Sequence, residues 1–283
     1  MKDYIALTKP RVTWLILATT AIGYYFGARL GWSVWTLFHT IAGTCLIASG
    51  TAALNQWYER DADAKMKRTK ARPLPSGRIA PAHAFLFALG LVVVGFVELC
   101  WGANLLTGLL GLFTVITYLF AYTPMKQRSV HSTTVGAIPG AMPPLIGFAG
   151  AAGTLSAEAW ILGVILFLWQ FPHFYAIAWM YREDYERAGI RMLPVVEPDG
   201  ESTARRILWC AMALVPVSLL PRFWSMAGNF YVAGATLAGM GFLYYCWRVM
   251  QDRTRVRARG VLLASVVYLP ILYGLLVIDH TGL

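Results

Sequence analysis

The chain has 283 residues, of which 58% are hydrophobic and only 13% charged; its 24 basic and 14 acidic residues leave a formal net charge of +10. A soluble chain carries about 25% charged residues, so the composition excludes a soluble enzyme, a disordered chain and an ordinary nucleic-acid binder. What remains is an all-α polytopic membrane bundle whose charge is confined to the ends of its helices.

A bilayer-spanning helix needs about 20 mostly apolar residues. In chain order, nine segments qualify: about 12–30, 36–57, 82–101, 104–122, 133–152, 158–180, 204–221, 228–247 and 261–278. The amino terminus reaches the first span within a dozen residues, with neither a cleavable leader nor an Arg-rich amphipathic segment ahead of it. The first span is therefore expected to be a retained anchor. Basic residues sort the ends. Lys2, Lys9 and Arg11, the run from Arg60 to Arg78, Lys126 and Arg128, the group from Arg182 to Arg206, and Arg248 through Arg259 all fall on one side; only Arg29 and Arg222 fall on the other. The positive-inside rule predicts a cytoplasmic amino terminus and a carboxyl terminus outside. The run from Arg248 to Arg259 is read as a topology signal and an anchor for anionic headgroups. Cys45, Cys100, Cys210 and Cys246 stand singly in apolar runs without ligand spacing and are expected to be buried, inert thiols.

Acidic residues are the informative minority. Glu98, Glu158 and Asp279 lie singly near outer ends of spans and are expected at the interface. The rest concentrate in two places on the basic side. The second span ends in Asn55-x3-Glu59-x3-Asp63, followed by Lys65, Lys67, Arg68, Lys70 and Arg72. On a helix, Asn55, Glu59 and Asp63 fall within an arc of about 80° and spread over about 12 Å of axis, while Asp61 points away. Two readings stand at this point. The stripe holds hard cations, or it is a solvated helix end whose acids pair at i+4, Asp63 with Lys67 and Asp61 with Lys65.

Between the fourth and fifth spans, Tyr122-Thr-Pro-Met-Lys126-Gln-Arg128 brings two more cations to the same side. The fifth span carries Pro139, Pro143 and Pro144 among several glycines. Such irregular backbone is tolerated at membrane depth only inside protein or along a cavity, and a cavity wall is expected. The sixth span then exits through Glu183-Asp184-Tyr185-Glu186-Arg187. Carboxylates followed at once by cations, twice and on one side, suit an Mg2+–diphosphate site: the acids hold the ions and the cations take the remaining negative charge. A greasy tail would lie in the bundle beneath, where Trp57, Tyr58, Trp169, Phe171, Phe174 and Trp179 are candidate lining residues. His173 admits two readings, an axial ligand through a neutral imidazole or a polar group bonded to a neighbouring helix.

These motifs resemble the intramembrane aromatic prenyltransferase (UbiA-type) superfamily. Leu7-Thr8-Lys9-Pro10-Arg11, Met66-Lys67-Arg68-Thr69-Lys70-x-Arg72-Pro73-Leu74, Tyr122-Thr123-Pro124-x-Lys126, Pro143-Pro144-Leu145-Ile146-Gly147, Pro172-His173-Phe174 and Asp184-Tyr185-x3-Gly189-Ile190 look like its heme-farnesylating branch. The resemblance covers nearly the whole chain and weakens after about residue 205. It implies one membrane-embedded prenyltransferase domain over residues 1–283 that moves the farnesyl group of farnesyl diphosphate to a vinyl group of heme B, giving heme O. It further implies Mg2+ on Asn55, Glu59, Asp63 and Asp184, and substrate contacts from Lys67, Arg68, Arg72, Lys126, Arg128, Tyr122 and His173. A multi-pass place in a bacterial plasma membrane is implied as well, with the site on the cytoplasmic side, no nucleic-acid partner, and handoff of product to a heme O-oxidising enzyme or terminal-oxidase assembly. Two positions depart from the superfamily pattern. Glu59 stands where many members carry Asp, and Glu183-Asp184-x-Glu186 replaces a clean Asp-x3-Asp, with Asp184 the favoured ligand. The rival readings are a sibling enzyme with a quinone-ring or chlorin acceptor and a transporter, whose polar site belongs at the bilayer midplane.

Overall fold

The computed structural model describes residues 1–28 and 31–281, so the last two residues of the first expected span, Arg29 among them, lie outside the described residues. Among the described residues there are nine long helices and no strand. They are α1 (Pro10–Gly27), α2 (Val34–Lys65), α3 (Pro81–Gly102), α4 (Leu105–Met125), α5 (Ser132–Ala152), α6 (Ala157–Met180), α7 (Glu201–Phe223), α8 (Asn229–Gln251) and α9 (Arg255–Ile278). A short helix, Lys2–Leu7, precedes them. Seven of the nine, all but α1 and α8, are long and apolar enough to cross a membrane. α1 and α8 carry more Thr, Tyr and Gly, which lowers their hydropathy, yet both pack lengthwise into the bundle, α1 against α5 and α8 against α9 and α7.

Lipid tails are as apolar as leucine, so hydrophobicity alone does not drive one membrane helix against another; close approach does. The α1–α5 contact shows this. A Cβ at Gly23 would overlap the Pro144 carbonyl, and one at Gly147 would overlap the Thr20 carbonyl. Gly43 and Gly50 of α2 lie similarly tight against Leu99 and Val92 of α3. Outward faces carry the opposite residues: Trp14, Trp35, Phe120, Trp209 and Leu237 are each more than half exposed, as helices that meet lipid on one side require. α6 runs through the main core, where Leu162, Ile165 and Tyr175 are buried among residues of α7, α8 and α9.

Several expectations are corrected. The helix of the second span runs on past residue 57 to Lys65, so the acidic stripe is helical as its spacing required, and the solvated helix end gives way to a buried, paired one. α5 is broken at Ala141 into Ser132–Gly140 and Met142–Ala152, as its prolines demand. Every residue from Met142 to Gly150 is buried, so this piece of the irregular span is enclosed by protein, and Phe148, Ala151 and Ala152 line a cavity of about 330 Å3 beside Gly27 and Ala28. At the end of its first piece the Ala137 carbonyl accepts from Gln170 Nε2 of α6 at 3.1 Å. The outer acids have partners within the protein. Glu98 meets His39 Nδ1 at 2.7 Å across the α2–α3 seam, and Asp279 accepts from the Tyr231 N–H at 2.7 Å at the start of α8. All four cysteines are free, but only Cys246 is buried; the other three are half-buried.

Gly23→Leu is expected to cost about 3 kcal/mol or more by forcing α1 off α5, whereas Gly90→Ala, on a face of α3 with nothing near it, is expected to be neutral or slightly stabilising. Thermal unfolding of the two variants in detergent checks this contrast.

Candidate active site

The stripe on α2 is the centre of the site. Asn55, Glu59 and Asp63 are 2%, 8% and 1% exposed, whereas the Asp61 side chain is 86% exposed on the opposite face. A buried carboxylate must be paired or it loses its charge, and each group here meets a cation from outside its own helix. Lys9 Nζ donates to Asn55 Oδ1 at 3.4 Å. Lys126 Nζ meets Glu59 Oε1 at 2.7 Å, and Arg72 Nη1 meets Asp63 Oδ2 at 2.7 Å. The i+4 pairs open to this stripe in the sequence do not form: Asp63 turns to Arg72, and Asp61 lies nearest Arg60 at 3.8 Å. Asn55 Nδ2 also donates to Thr123 Oγ1 at 3.3 Å, while Asp63 Oδ1 is buried without a hydrogen-bond partner.

Local backbone features aim these cations. Lys9 adopts a left-handed conformation, φ 48° and ψ 60°, immediately before Pro10. A non-glycine residue rarely takes this shape, and surrounding contacts must hold it there. They do so through Leu7, which is fully buried and whose carbonyl accepts from Gln56 Nε2 at 2.8 Å. Lys126 comes just after a π-helical turn, Thr117–Tyr122, in α4; the extra residue per turn rotates the residues beyond it. Its ammonium also sits 4.5 Å from the Tyr122 ring centroid, a cation–π distance. Arg72 returns to the end of α2 because the segment after it folds back, with Thr69 Oγ1 donating to the Asp63 carbonyl at 2.8 Å.

The second acidic motif joins the first through the backbone. Asp184, on the short helix Arg182–Arg187, accepts from the Lys67 N–H at 3.2 Å and pairs with Arg187. Of the three acids in this motif, Asp184 is buried while Glu183 and Glu186 are exposed. The Arg191 N–H donates to the Lys126 carbonyl at 2.8 Å, tying the same loop to α4. Arg68 lies over the rings of Tyr181 and Tyr185, at 5.0 and 5.9 Å. The Lys67 and Arg128 side chains are exposed and pair with no carboxylate among the described residues. His173 is not brought to the acids. Its Nδ1 lies 2.8 Å from Ser265 Oγ on α9, and its ring stacks on Trp169 at 4.7 Å.

Three cations thus converge on two carboxylates, an excess of positive charge at a largely enclosed place. Burial, with Arg72 and Lys126 close by, pulls the Lys9 ammonium down to about 8. Against a burial that would lower it, the Glu59 carboxylate and Tyr122 hold the Lys126 ammonium well above the usual lysine value. Against a burial that would raise it, the Lys67 N–H and Arg187 hold the Asp184 carboxyl below the usual range. Such a place favours an anion. No three His, Cys, Asp or Glu side chains form a ready metal cage among the described residues. Mg2+ does not need one, since it commonly binds one or two carboxylates and completes its shell with phosphate oxygens and water. The unpartnered Asp63 Oδ1 fits that donor set.

Lys9 was legible as a topology charge and as part of the Leu7–Arg11 motif, but not as a partner of Asn55. The partners of Gln56 and Thr123 carried no local signal, because Leu7 and Asn55 lie far from them in sequence.

The chain matches the UbiA prenyltransferase family over residues 16–268. It is 60% identical to the protein named protoheme IX farnesyltransferase of Solibacter usitatus, with the whole of both chains covered. Among solved structures it is similar to one of digeranylgeranylglyceryl phosphate synthase, with a TM-score of 0.83 at 17% identity over 100% of this chain and 99% of that one. It is also similar to a UbiA homolog from Archaeoglobus fulgidus bound to DMAPP and Mg2+, with a TM-score of 0.68 at 15% identity over 98% and 99% of the two chains.

Lys126→Met leaves Glu59 buried without its partner and is expected to cost about 3–5 kcal/mol. Adding Glu59→Gln is expected to restore most of that loss, as measured by thermal unfolding of the single and double variants.

Proposed function

Because the chain belongs to the UbiA prenyltransferase family, we propose that it transfers the farnesyl group of farnesyl diphosphate to a vinyl group of heme B, with addition of water, to give heme O. The excess of cations over carboxylates at the end of α2 carries the donor half of this reading, and the full-length relative supports the acceptor.

In this scheme Asn55, Glu59, Asp63 and Asp184 hold Mg2+, whose chemistry is to neutralise the leaving diphosphate. Lys126, Arg72, Lys9 and Arg68 take the remaining phosphate charge, and Lys67, Arg128 and Tyr122 stand beside them at the mouth. Because these groups are already placed by the fold, they stabilise negative charge as it develops on the leaving oxygen. The allylic C1–O bond breaks with both electrons going to diphosphate. The terminal vinyl carbon then supplies the electron pair for the new bond to C1, and positive charge moves to the carbon beside the macrocycle. Water adds there and gives up one proton, which leaves the hydroxyethyl-farnesyl substituent. The apolar helices below the mouth keep water from the allylic cation until the vinyl carbon reaches it. No residue of unusual basicity is required. His173 supplies the acceptor's iron with an axial nitrogen once its bond to Ser265 yields.

The same reading takes α1 and α8 as spans alongside the seven more apolar helices, giving nine. It places the amino terminus and the site on the cytoplasmic side of a bacterial plasma membrane, by the charge asymmetry of the ends. The farnesylated product is too apolar to leave the bilayer, so it passes to an oxidising enzyme or oxidase assembly within the membrane.

Proteoliposomes of the protein are expected to convert heme B and farnesyl diphosphate to heme O with Mg2+ and to stop when the cation is chelated, with product mass as the readout. Turnover of another acceptor with heme untouched would overturn the assignment. Asp63→Asn is expected to lower turnover at least about a hundredfold with normal insertion, and near-wild-type activity would remove Asp63 from the site. His173→Ala is expected to shift the absorption spectrum of bound heme; an unchanged spectrum would remove the axial ligand.

A further inference from the structure

A groove of about 510 Å3 opens where the end of α6 meets the start of α9, lined by Met180, Tyr181, Arg255, Arg259, Leu262 and Leu263. Its two arginines belong to the basic run whose simplest role is orientation in the membrane, yet they are placed differently from their neighbour. Arg257 lies 3.7 Å from Asp252, whereas Arg255 and Arg259 pair with no carboxylate among the described residues. The groove is also joined to the catalytic mouth through one ring. Tyr181 has the Arg255 guanidinium 5.9 Å from its centroid and the Arg68 guanidinium 5.0 Å from it.

Deeper along the same α6–α9 seam stands the His173–Ser265 pair. From Tyr181 back to His173 is about 12 Å of helix, and from Arg259 on to Ser265 about 9 Å. The seam therefore presents, in order from the water inwards, two free guanidiniums, an apolar stretch of Met180, Leu262 and Leu263, and an imidazole. A flat apolar macrocycle with a metal at its centre and two carboxylates on one edge has the same order of groups. Arg is also the side chain whose planar donors match a carboxylate two at a time.

We propose that this groove binds the propionate edge of the tetrapyrrole acceptor, with Arg255 and Arg259 each taking one carboxylate and the macrocycle lying along the α6–α9 seam. The proposal rests on the heme-acceptor reading above. It makes the two arginines binding residues for the acceptor and leaves the diphosphate end unaffected. It also gives the acceptor a fixed orientation: the propionate edge is held at the aqueous end, next to the ring that Arg68 touches.

The test compares heme with its dimethyl ester, in which both carboxylates are capped, using the full chain in nanodiscs. Arg255→Gln/Arg259→Gln is expected to weaken heme binding, measured by absorbance titration without farnesyl diphosphate, by about tenfold for each arginine lost. In turnover it is expected to raise KM for heme while leaving KM for farnesyl diphosphate within about twofold. The wild-type protein should discriminate against the ester, and the double variant should bind heme and ester alike. Equal heme affinity in wild type and variant overturns the proposal. So does a defect that is the same for heme and ester and tracks the phosphatidylglycerol content of the nanodisc, which would make the groove a lipid-headgroup site. Arg248, Arg253 and Arg257 remain to hold orientation, and protease accessibility of the termini verifies it. The titration needs no turnover, so a wild-type protein that binds heme but does not farnesylate it refutes the reaction and still decides the groove.

Discussion

Buried carboxylates at the end of one long helix govern much of the remaining structure. Glu59 and Asp63 lie where water cannot solvate them, so each demands a cation, and neither partner comes from the same helix. Lys126 arrives from the end of α4 and Arg72 from the loop beyond α2. Lys9 arrives from the approach to α1 and meets Asn55 on the same stripe. Satisfying that demand fixes how three segments, far apart in sequence, close over one mouth. It also bears on the proposed diphosphate site: supplying each acid with its own cation, plus one more, leaves a surplus of positive charge that favours an anion.

Backbone irregularity is concentrated where it serves this closure. Lys9 holds a left-handed conformation before a proline, α4 takes a π turn just ahead of Lys126, and α5 is broken next to its prolines. Each departure would be costly in isolation. Here each is held by contacts from other segments, through Leu7 and Gln56, through Tyr122 and Glu59, and through the Gln170 amide that meets the Ala137 carbonyl. Glycine-mediated contacts do the complementary work in the bilayer. They let α1 seat its backbone on that of α5, and α1 begins at the residue right after Lys9.

The two halves of the proposed reaction are distinguished by where the chain places its charge. The diphosphate end is an enclosed cluster of paired ions. The proposed acceptor end, along α6 and α9, has open guanidiniums over an apolar seam, with a histidine bonded to a serine further in. Tyr181 lies between them, with an arginine from each side near its ring. A reaction that joins a charged, greasy donor to a flat, carboxylated acceptor needs two such surfaces close together and chemically unlike.

Length, apolar runs and charge asymmetry made the helical bundle legible from the sequence, because membrane-spanning backbone must satisfy its own hydrogen bonds and so announces itself as long apolar helices. The acidic stripe of Asn55, Glu59 and Asp63 was legible for the same kind of reason: helical spacing alone places three residues on one face. What each of those residues touches was not. The near partners offered by spacing, Lys67 for Asp63 and Lys65 for Asp61, gave way to Arg72 and Arg60, and Lys9 and Lys126 joined from elsewhere. Asp184 was favoured over Glu183 and Glu186 only by family resemblance, and nothing local separated Arg255 and Arg259 from the basic run around them. Pairing between distant charges depends on which ends of the helices meet and on which groups are thereby shut away from water. Spans and stripe are written in the order of the residues; the partners belong to the folded bundle, because burial, not proximity along the chain, sets which charges must find each other.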